Sequence, residues 1–160
     1  MRIAASALVA IVSAGMLAAC ASSSAVPRAV RAQQNTAVVL AFLDTVFNKH
    51  AVDQAFKLYV GPNYRQHNPG VPDGAAAAVR ALTTLTHELV PQLHQEIKRT
   101  VAQGDLVAVH SRYLPGAAGA DRGTGQAAVD IFRLEHGKIV EHWDVVQDVP
   151  EKSANDNSMF

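Results

Sequence analysis

Two aspartates and a histidine lie close together near the end of this chain, threaded through apolar residues. They sit in Val129-Asp130-Ile131-Phe132 and in Val140-Glu141-His142-Trp143-Asp144-Val145-Val146. Carboxylates and imidazoles do general acid–base work, because neighbours and burial can poise them near neutral pH. They can act together only if they share a face. Both segments alternate as strands and Gly137 lies between them, so they read as a β-hairpin. A two-residue loop over His136-Gly137 would pair Asp130 with Trp143, and His-Gly fits such loops less well than Asn-Gly or Asp-Gly. A three-residue loop, Glu135-His136-Gly137, wants its last residue in the left-handed region, which suits glycine. That loop pairs Asp130 with His142 and Phe132 with Val140. One face then carries Asp130, Phe132, Leu134, Val140, His142, Asp144 and Val146. The other carries Val129, Ile131, Arg133, Ile139, Glu141, Trp143 and Val145. A register error of one residue would swap these partners across the sheet.

Carboxylates buried among Phe, Leu and Val are expensive unless paired or put to use. The competing reading is a partly solvated face with its charges in water, and the hairpin alone does not displace it. Other residues bear on the choice. Tyr64-Arg65-Gln66-His67-Asn68-Pro69 opens the most turn-rich loop of the chain, Pro69 to Gly74, and the proline holds Asn68 extended. Tyr64 and His67 are candidate pocket walls. His110 interrupts the apolar run Leu106-Val107-Ala108-Val109 and alternates with Ala108 and Arg112. A lone strand histidine is more often a hydrogen-bonded structural residue than a ligand. Even so, His110 could join Asp130, His142 and Asp144 from a neighbouring strand, and His67 could arrive from the loop. His50, His87, His94 and His136 read as solvated. No close His-x-His or His-Glu-x-x-His spacing exists, so no metal is expected. No Gly-rich phosphate loop exists, so cofactor-free chemistry is expected.

The elements that must position these groups follow from periodicity. Asn35 or Thr36 can cap a helix to about Asn48, with Val38, Phe42 and Val46 as its apolar stripe. Asp53 can cap a second, short helix with Phe56 and Tyr59 or Val60 inward, stopped by Gly61-Pro62. Asn63 to Asn68 is extended. Ala75 to about Leu89 is a third helix with Val79, Leu82, Leu85 or Thr86, and Leu89 on one side. Strands follow over Leu93–Ala102, Leu106–Leu114, Gln126–Glu135 and Lys138–Val149, with a glycine-rich connection from Gly116 to Gly125. Three helices followed by a meander predict an α+β domain, a curved antiparallel sheet packed on helices.

The ends read differently. Arg2, the apolar run Ile3 to Ala19 and Leu17-Ala18-Ala19-Cys20 have the form of a signal peptide, residues 1–19. They resemble the lipobox of bacterial lipoproteins, which implies lipidation of Cys20 and anchoring to the cell envelope. Cys20 is the only cysteine, so no intramolecular disulfide is possible. Ala21 follows it, with no aspartate of the kind linked to inner-membrane retention, which points to the outer membrane. Residues 20–33 read as a flexible tether, residues 34–150 as the folded domain, and 151–160 as a loose tail. Acidic and basic residues balance at 14 each, and no Lys/Arg cluster stands out, so nucleic-acid binding is not expected.

The loop Tyr64-Arg65-Gln66-His67-Asn68-Pro69 with Pro72-Asp73-Gly74 resembles the SnoaL-like branch of the nuclear-transport-factor-two-like superfamily. So do Gly104-Asp105-Leu106-Val107-Ala108-Val109-His110, Asp130-Ile131-Phe132-Arg133, and Gly137-Lys138-Ile139-Val140-Glu141-His142-Trp143-Asp144. The resemblance covers roughly residues 34 to 150. It implies a cone-shaped α+β barrel around an apolar pocket. Members include polyketide cyclases performing intramolecular aldol condensation, ketosteroid isomerases, dehydratases and non-catalytic binding modules, and fold alone does not choose among them. By resemblance Asp144 matches the acid/base aspartate of the cyclases, and Asp130 the oxyanion-stabilising acid of the isomerases. The isomerase base would fall at Asn68, which cannot act as one. The first helix offers Phe42 and Phe47 but no tyrosine, so steroid isomerisation is disfavoured.

The resulting expectation is an envelope lipoprotein whose pocket takes a small apolar or carbonyl-containing ligand. Asp144 would remove a proton alpha to a carbonyl. His110, Tyr64 or protonated Asp130 would stabilise the enolate, and His67 and His142 would orient substrate or relay protons. Tyr64, Gln66, Asn68 and Phe132 are the expected substrate contacts. The rivals are a binding module without turnover and a structural lipoprotein. Ile139, Trp143 and Val145 on the outer face make a homodimer the expected assembly.

Overall fold

The computed structural model describes residues 27–116 and 124–160. The signal peptide, Cys20, the start of the tether and most of the glycine-rich connection lie outside the described residues. Helix α1 spans Arg28–Leu43 behind Pro27, so it starts well before the expected cap at Asn35 or Thr36. Residues 28–34 are mostly good helix formers, and proline is at home at a helix start. The expected tether is therefore helical from Arg28. Asn35 is buried within the helix, where its amide donates to the Gly104 carbonyl at 3.0 Å.

A π-helical turn, Asp44–Asn48, continues α1. Asn48 then staples it to the sheet, accepting from the Gln95 N–H at 2.9 Å and donating to the Gln95 carbonyl at 3.2 Å. Helix α2 spans Val52–Tyr59 with Asp53 in its first turn rather than at its cap. Helix α3 spans Ala75–Thr83 and also continues as a π-helical turn, Thr84–Leu89. The wider turn changes the phase of the apolar stripe. Thr86 becomes fully buried, whereas Leu89, expected inward, is 70% exposed.

The strands are β1 (Val60–Gln66), β2 (Leu93–Gln103), β3 (Leu106–Pro115), β4 (Gln126–Glu135) and β5 (Lys138–Asp148), in the order β1-β5-β4-β3-β2. β2 to β5 form the expected antiparallel meander. β1 runs parallel to β5, pairing Val60 with Ile139 and Gln66 with His142. The sheet is therefore mixed, where an all-antiparallel one was expected. A parallel neighbour needs no shared turn, so strand spacing carries no sign of it.

The helices pack on one face of this curved sheet. Phe42 stands edge-on to Phe56 at 5.5 Å and to Phe132 at 5.9 Å. Those rings tie α1, α2 and β4 together, and such pairs add to area burial. The tail is not loose at its end. Phe160 stacks on His110 at 5.7 Å on the opposite sheet face, with Lys98 and Arg112 at 5.4 and 5.2 Å from its ring. Cations over an aromatic face hold it there.

Candidate active site

The β4–β5 hairpin reaches the expected face by a different turn. His136 and Gly137 both take positive φ, 49° and 73°, and Glu135 pairs with Lys138 across a two-residue loop. Unbroken, that register would carry His142 and Asp144 to the outer face. A bulge restores it: Leu134 pairs with Ile139 but Arg133 pairs with Glu141. Asp130 therefore pairs with Asp144 and Phe132 with His142, in place of the expected Asp130–His142 and Phe132–Val140 pairs. Asp130, Phe132, His142 and Asp144 still share the inner face. The bulge buries both Ile139 and Val140, so Ile139 belongs to the core and not to the outer face.

Two carboxylates directly opposite each other repel, and here each has its own partners. Asp130, 4% exposed, lies 3.1 Å from His142 Nε2 through Oδ1 and accepts from the Tyr113 hydroxyl at 3.4 Å through Oδ2. Asp144 accepts from the Asn68 amide on both oxygens, at 2.7 and 2.9 Å. His142 Nδ1 faces Gln66 Oε1 at 3.1 Å, and its ring stacks on Phe132 at 4.7 Å. Gln66 Nε2 donates to the Tyr64 hydroxyl at 3.2 Å. Burial pushes both phenols, Tyr64 and Tyr113, above the usual tyrosine range, with the nearby aspartates adding to the effect. Both stay protonated at neutral pH. Among the described residues the Tyr64 O–H has no acceptor, so it remains available to a ligand.

These groups form the polar end of a cavity of about 560 Å³. Its walls are apolar: Phe42, Leu43 and Phe47 from α1 and its continuation, Ala78, Leu82 and Leu85 from α3 and its continuation, and Leu93, Phe132 and Val146 from the sheet. Few polar groups at one end of an apolar cleft is the usual form of a small-molecule site. Gly125 borders it with φ +71°, its Cα packed so closely on the Tyr113 carbonyl that a Cβ would collide. Asn68 reaches Asp144 because its loop is pinned: Asp73 accepts from the backbone N–H groups of Gln66 and Gly74, each at 2.8 Å. Those bonds hold the Asp73 carboxyl below the usual carboxylate range.

Seven of the expected site residues thus converge on the cavity: Asp130, His142, Asp144, Tyr64, Gln66, Asn68 and Phe132. Gln66 and Asn68 spend their amides on His142 and Asp144. Two residues do not converge. His110 pairs across the sheet with Val129 and lies on the outer face, where its Nδ1 accepts from Arg99 at 2.6 Å. Burial, then the charges of Arg99 and Lys98, hold its pKa below the ordinary histidine value. His67 stacks flat on Trp143 at 4.5 Å, 3.4 Å from Glu141, on the outside. Neither can stabilise an enolate or relay a proton within the cavity.

Sequence reasoning missed Tyr113 and the Gln95 amide behind it, which donates to Tyr113 at 2.9 Å and to Ser111 at 3.2 Å. The signal was present. Alternation that sets His110 with Ala108 and Arg112 sets Ser111 and Tyr113 on the other face. Asp130, His142 and Asp144 have ligating atoms within 4.8 Å of one another, enough in type to hold a divalent cation. In this structure Nε2 is engaged with Asp130, and both Asp144 oxygens accept from the Asn68 amide. A cation would have to replace the Nε2–Asp130 contact, while each Asp144 oxygen keeps a further lone pair.

The SnoaL-like polyketide cyclase family model matches residues 37–152, and the chain belongs to that family. Solved structures share the fold. One is a protein assigned as a SnoaL-like polyketide cyclase from Jannaschia sp. CCS1, 21% identical over 76% of this chain and 91% of its own, with a TM-score of 0.61. Another is an NTF2-like protein of unknown function from Mesorhizobium loti, 22% identical over 73% and 93%, with a TM-score of 0.57. TsrD from Streptomyces laurentii is 21% identical over 71% and 88%, with a TM-score of 0.56. No curated protein sequence matches the chain.

Proposed function

We propose that this chain is an envelope lipoprotein, lipidated at Cys20 and held at the outer membrane on its periplasmic side. Its cavity would carry out cofactor-free acid–base chemistry on a small apolar carbonyl compound, of aldol, isomerase or dehydratase type. The observation that carries this reading is the pairing of Asp144 with the His142–Asp130 pair, ligating atoms within 4.8 Å, at the polar end of an apolar cavity. A base and an acid that close suit a C–H and a C=O on adjacent carbons. Asp144 takes the proton, and His142–Asp130 or the Tyr64 hydroxyl supports the oxygen as the enol forms. Geometry of that kind supplies about 10²- to 10⁴-fold in general acid–base steps.

The test is deuterium incorporation at the α-carbons of 2-tetralone, an apolar enolisable ketone, in D₂O. The wild-type protein is expected to accelerate it and Asp144→Asn to abolish the acceleration without loss of fold. Equal rates in the two proteins would refute the assignment. A second reading has its own support, because the Asn68 amide covers both oxygens of Asp144. The cavity would then hold a ligand without turning it over, and 2-tetralone would bind with no exchange. The exposed outer-face residues Val129, Ile131 and Val145 support a homodimer, which sedimentation of the full chain would report. For the anchor, Cys20→Ser should release the protein from membranes.

A further inference from the structure

Gln66 was expected to touch substrate, yet its amide is spent on the protein. The Asn68 backbone N–H donates to Gln66 Oε1 at 3.0 Å. A backbone N–H cannot reverse its role, so this bond fixes which end of the amide is oxygen. That same oxygen is the atom facing His142 Nδ1 at 3.1 Å. The other end donates to the Tyr64 hydroxyl. A bare Nδ1 would meet an acceptor, so Nδ1 carries a proton. Nε2 then faces Asp130 Oδ1 at 3.1 Å. Two facing lone pairs repel, so at rest a proton lies between them. Either the imidazole is doubly protonated beside a carboxylate, or a neutral imidazole accepts from a carboxylic acid.

We propose that Gln66 is a positioning residue that locks the Nδ1–H form of His142, so that Nε2 and Asp130 share one transferable proton at the polar end of the cavity. This deepens the acid–base reading and rests on it for its role in a reaction. The ionisable groups around the ring are Asp130 from β4, Asp144 two residues on along β5, Tyr64 from β1, and Tyr113 from β3 behind Asp130. Both phenols stay protonated, so at rest the shared proton is held by His142 and Asp130. When it leaves for a substrate oxygen, the pair becomes neutral imidazole beside carboxylate. The proton removed by Asp144 is available to restore it, and the cycle balances without a further reactant.

The experiment is ¹⁵N NMR of histidine-labelled full-length protein, with His142→Gln to assign the signal. In the wild type, Nδ1 is expected to stay protonated from about pH 5 to about pH 9, the span in which histidine ordinarily changes charge. Gln66→Met removes the acceptor and should shift the ring toward Nε2–H. Gln66→Glu keeps the shape and the acceptor, so it should keep the Nδ1–H form. A wild-type ring with bare Nδ1, or one that Gln66→Met leaves unchanged, overturns the proposal. In the 2-tetralone assay Gln66→Met should lose roughly tenfold or more in kcat with little change in KM, a part of the general acid–base effect. A locked Nδ1–H in a wild type that exchanges no deuterium would support the tautomer assignment and overturn the acid–base reading instead.

Discussion

The two faces of the β3–β4–β5 sheet are built from alternate residues of the same strands, yet they treat histidine and aromatic residues in opposite ways. Inside, His142 lies between Asp130 and Gln66 with Phe132 against its ring, at the polar end of an apolar cavity. Outside, His67 lies on Trp143, and His110 lies between Arg99 and Phe160. The outer histidines pin things down: the loop before α3 in one case, the end of the tail in the other. The Glu141 carboxylate beside His67 is also paired with Arg133, and His110 faces Arg99 in place of a carboxylate. What separates the cavity histidine from the two outer ones is its face, and a single bulge at Val140 sets that face for β5.

The contrast can be broken most severely from the inside. Phe132→Ala removes the ring that joins Phe42 to His142 and should cost about 3–5 kcal/mol, read as a lower urea midpoint. Val101→Thr, on the outer face at 69% exposed, should stay within about 0.5 kcal/mol. Asn68→Ala comes next. It frees Asp144 from its amide and should lower 2-tetralone exchange by about tenfold while leaving stability within about 1 kcal/mol. An increase in exchange would show instead that Asn68 seals the base. Phe160→Ala tests the outer face and should cost roughly 1 kcal/mol, the scale of exposed cation–π contacts, with no effect on the cavity.

The smallest effect is a pH dependence. The backbone N–H groups of Gln66 and Gly74 hold the Asp73 carboxyl below its ordinary value. Its folded value is lower than its unfolded one, so the stability it adds is present above about pH 4 and lost as pH falls through the folded value. Asp73→Asn should therefore melt earlier than the wild type at about pH 7, and the difference should shrink in acid.

Much of this was legible in the chain, for identifiable reasons. Alternation in 126–135 and 138–149 placed Asp130, His142 and Asp144 together, and the Tyr64 to Pro69 motif marked the loop that reaches them. The turn was misread and the faces survived, because the loop and the bulge together shift the register by an even number of residues. The parallel β1–β5 pair was not legible, since no turn joins those strands. Nor was the phase change in Thr84–Leu89, where a π-helical turn depends on tertiary packing and not on composition. The roles of His67 and His110 failed for a simpler reason. Both were recruited by residue type, while alternation already set His110 with Arg112 and away from Tyr113.

The central claim is that proton transfer belongs to the inner face alone. Its most direct measurement is 2-tetralone deuterium exchange by Asp144→Asn and His110→Gln side by side. Asp144→Asn should lose about 10²-fold or more, the scale of a lost general base, while His110→Gln should match the wild type. Exchange that survives in Asp144→Asn, or falls in a folded His110→Gln, would contradict it.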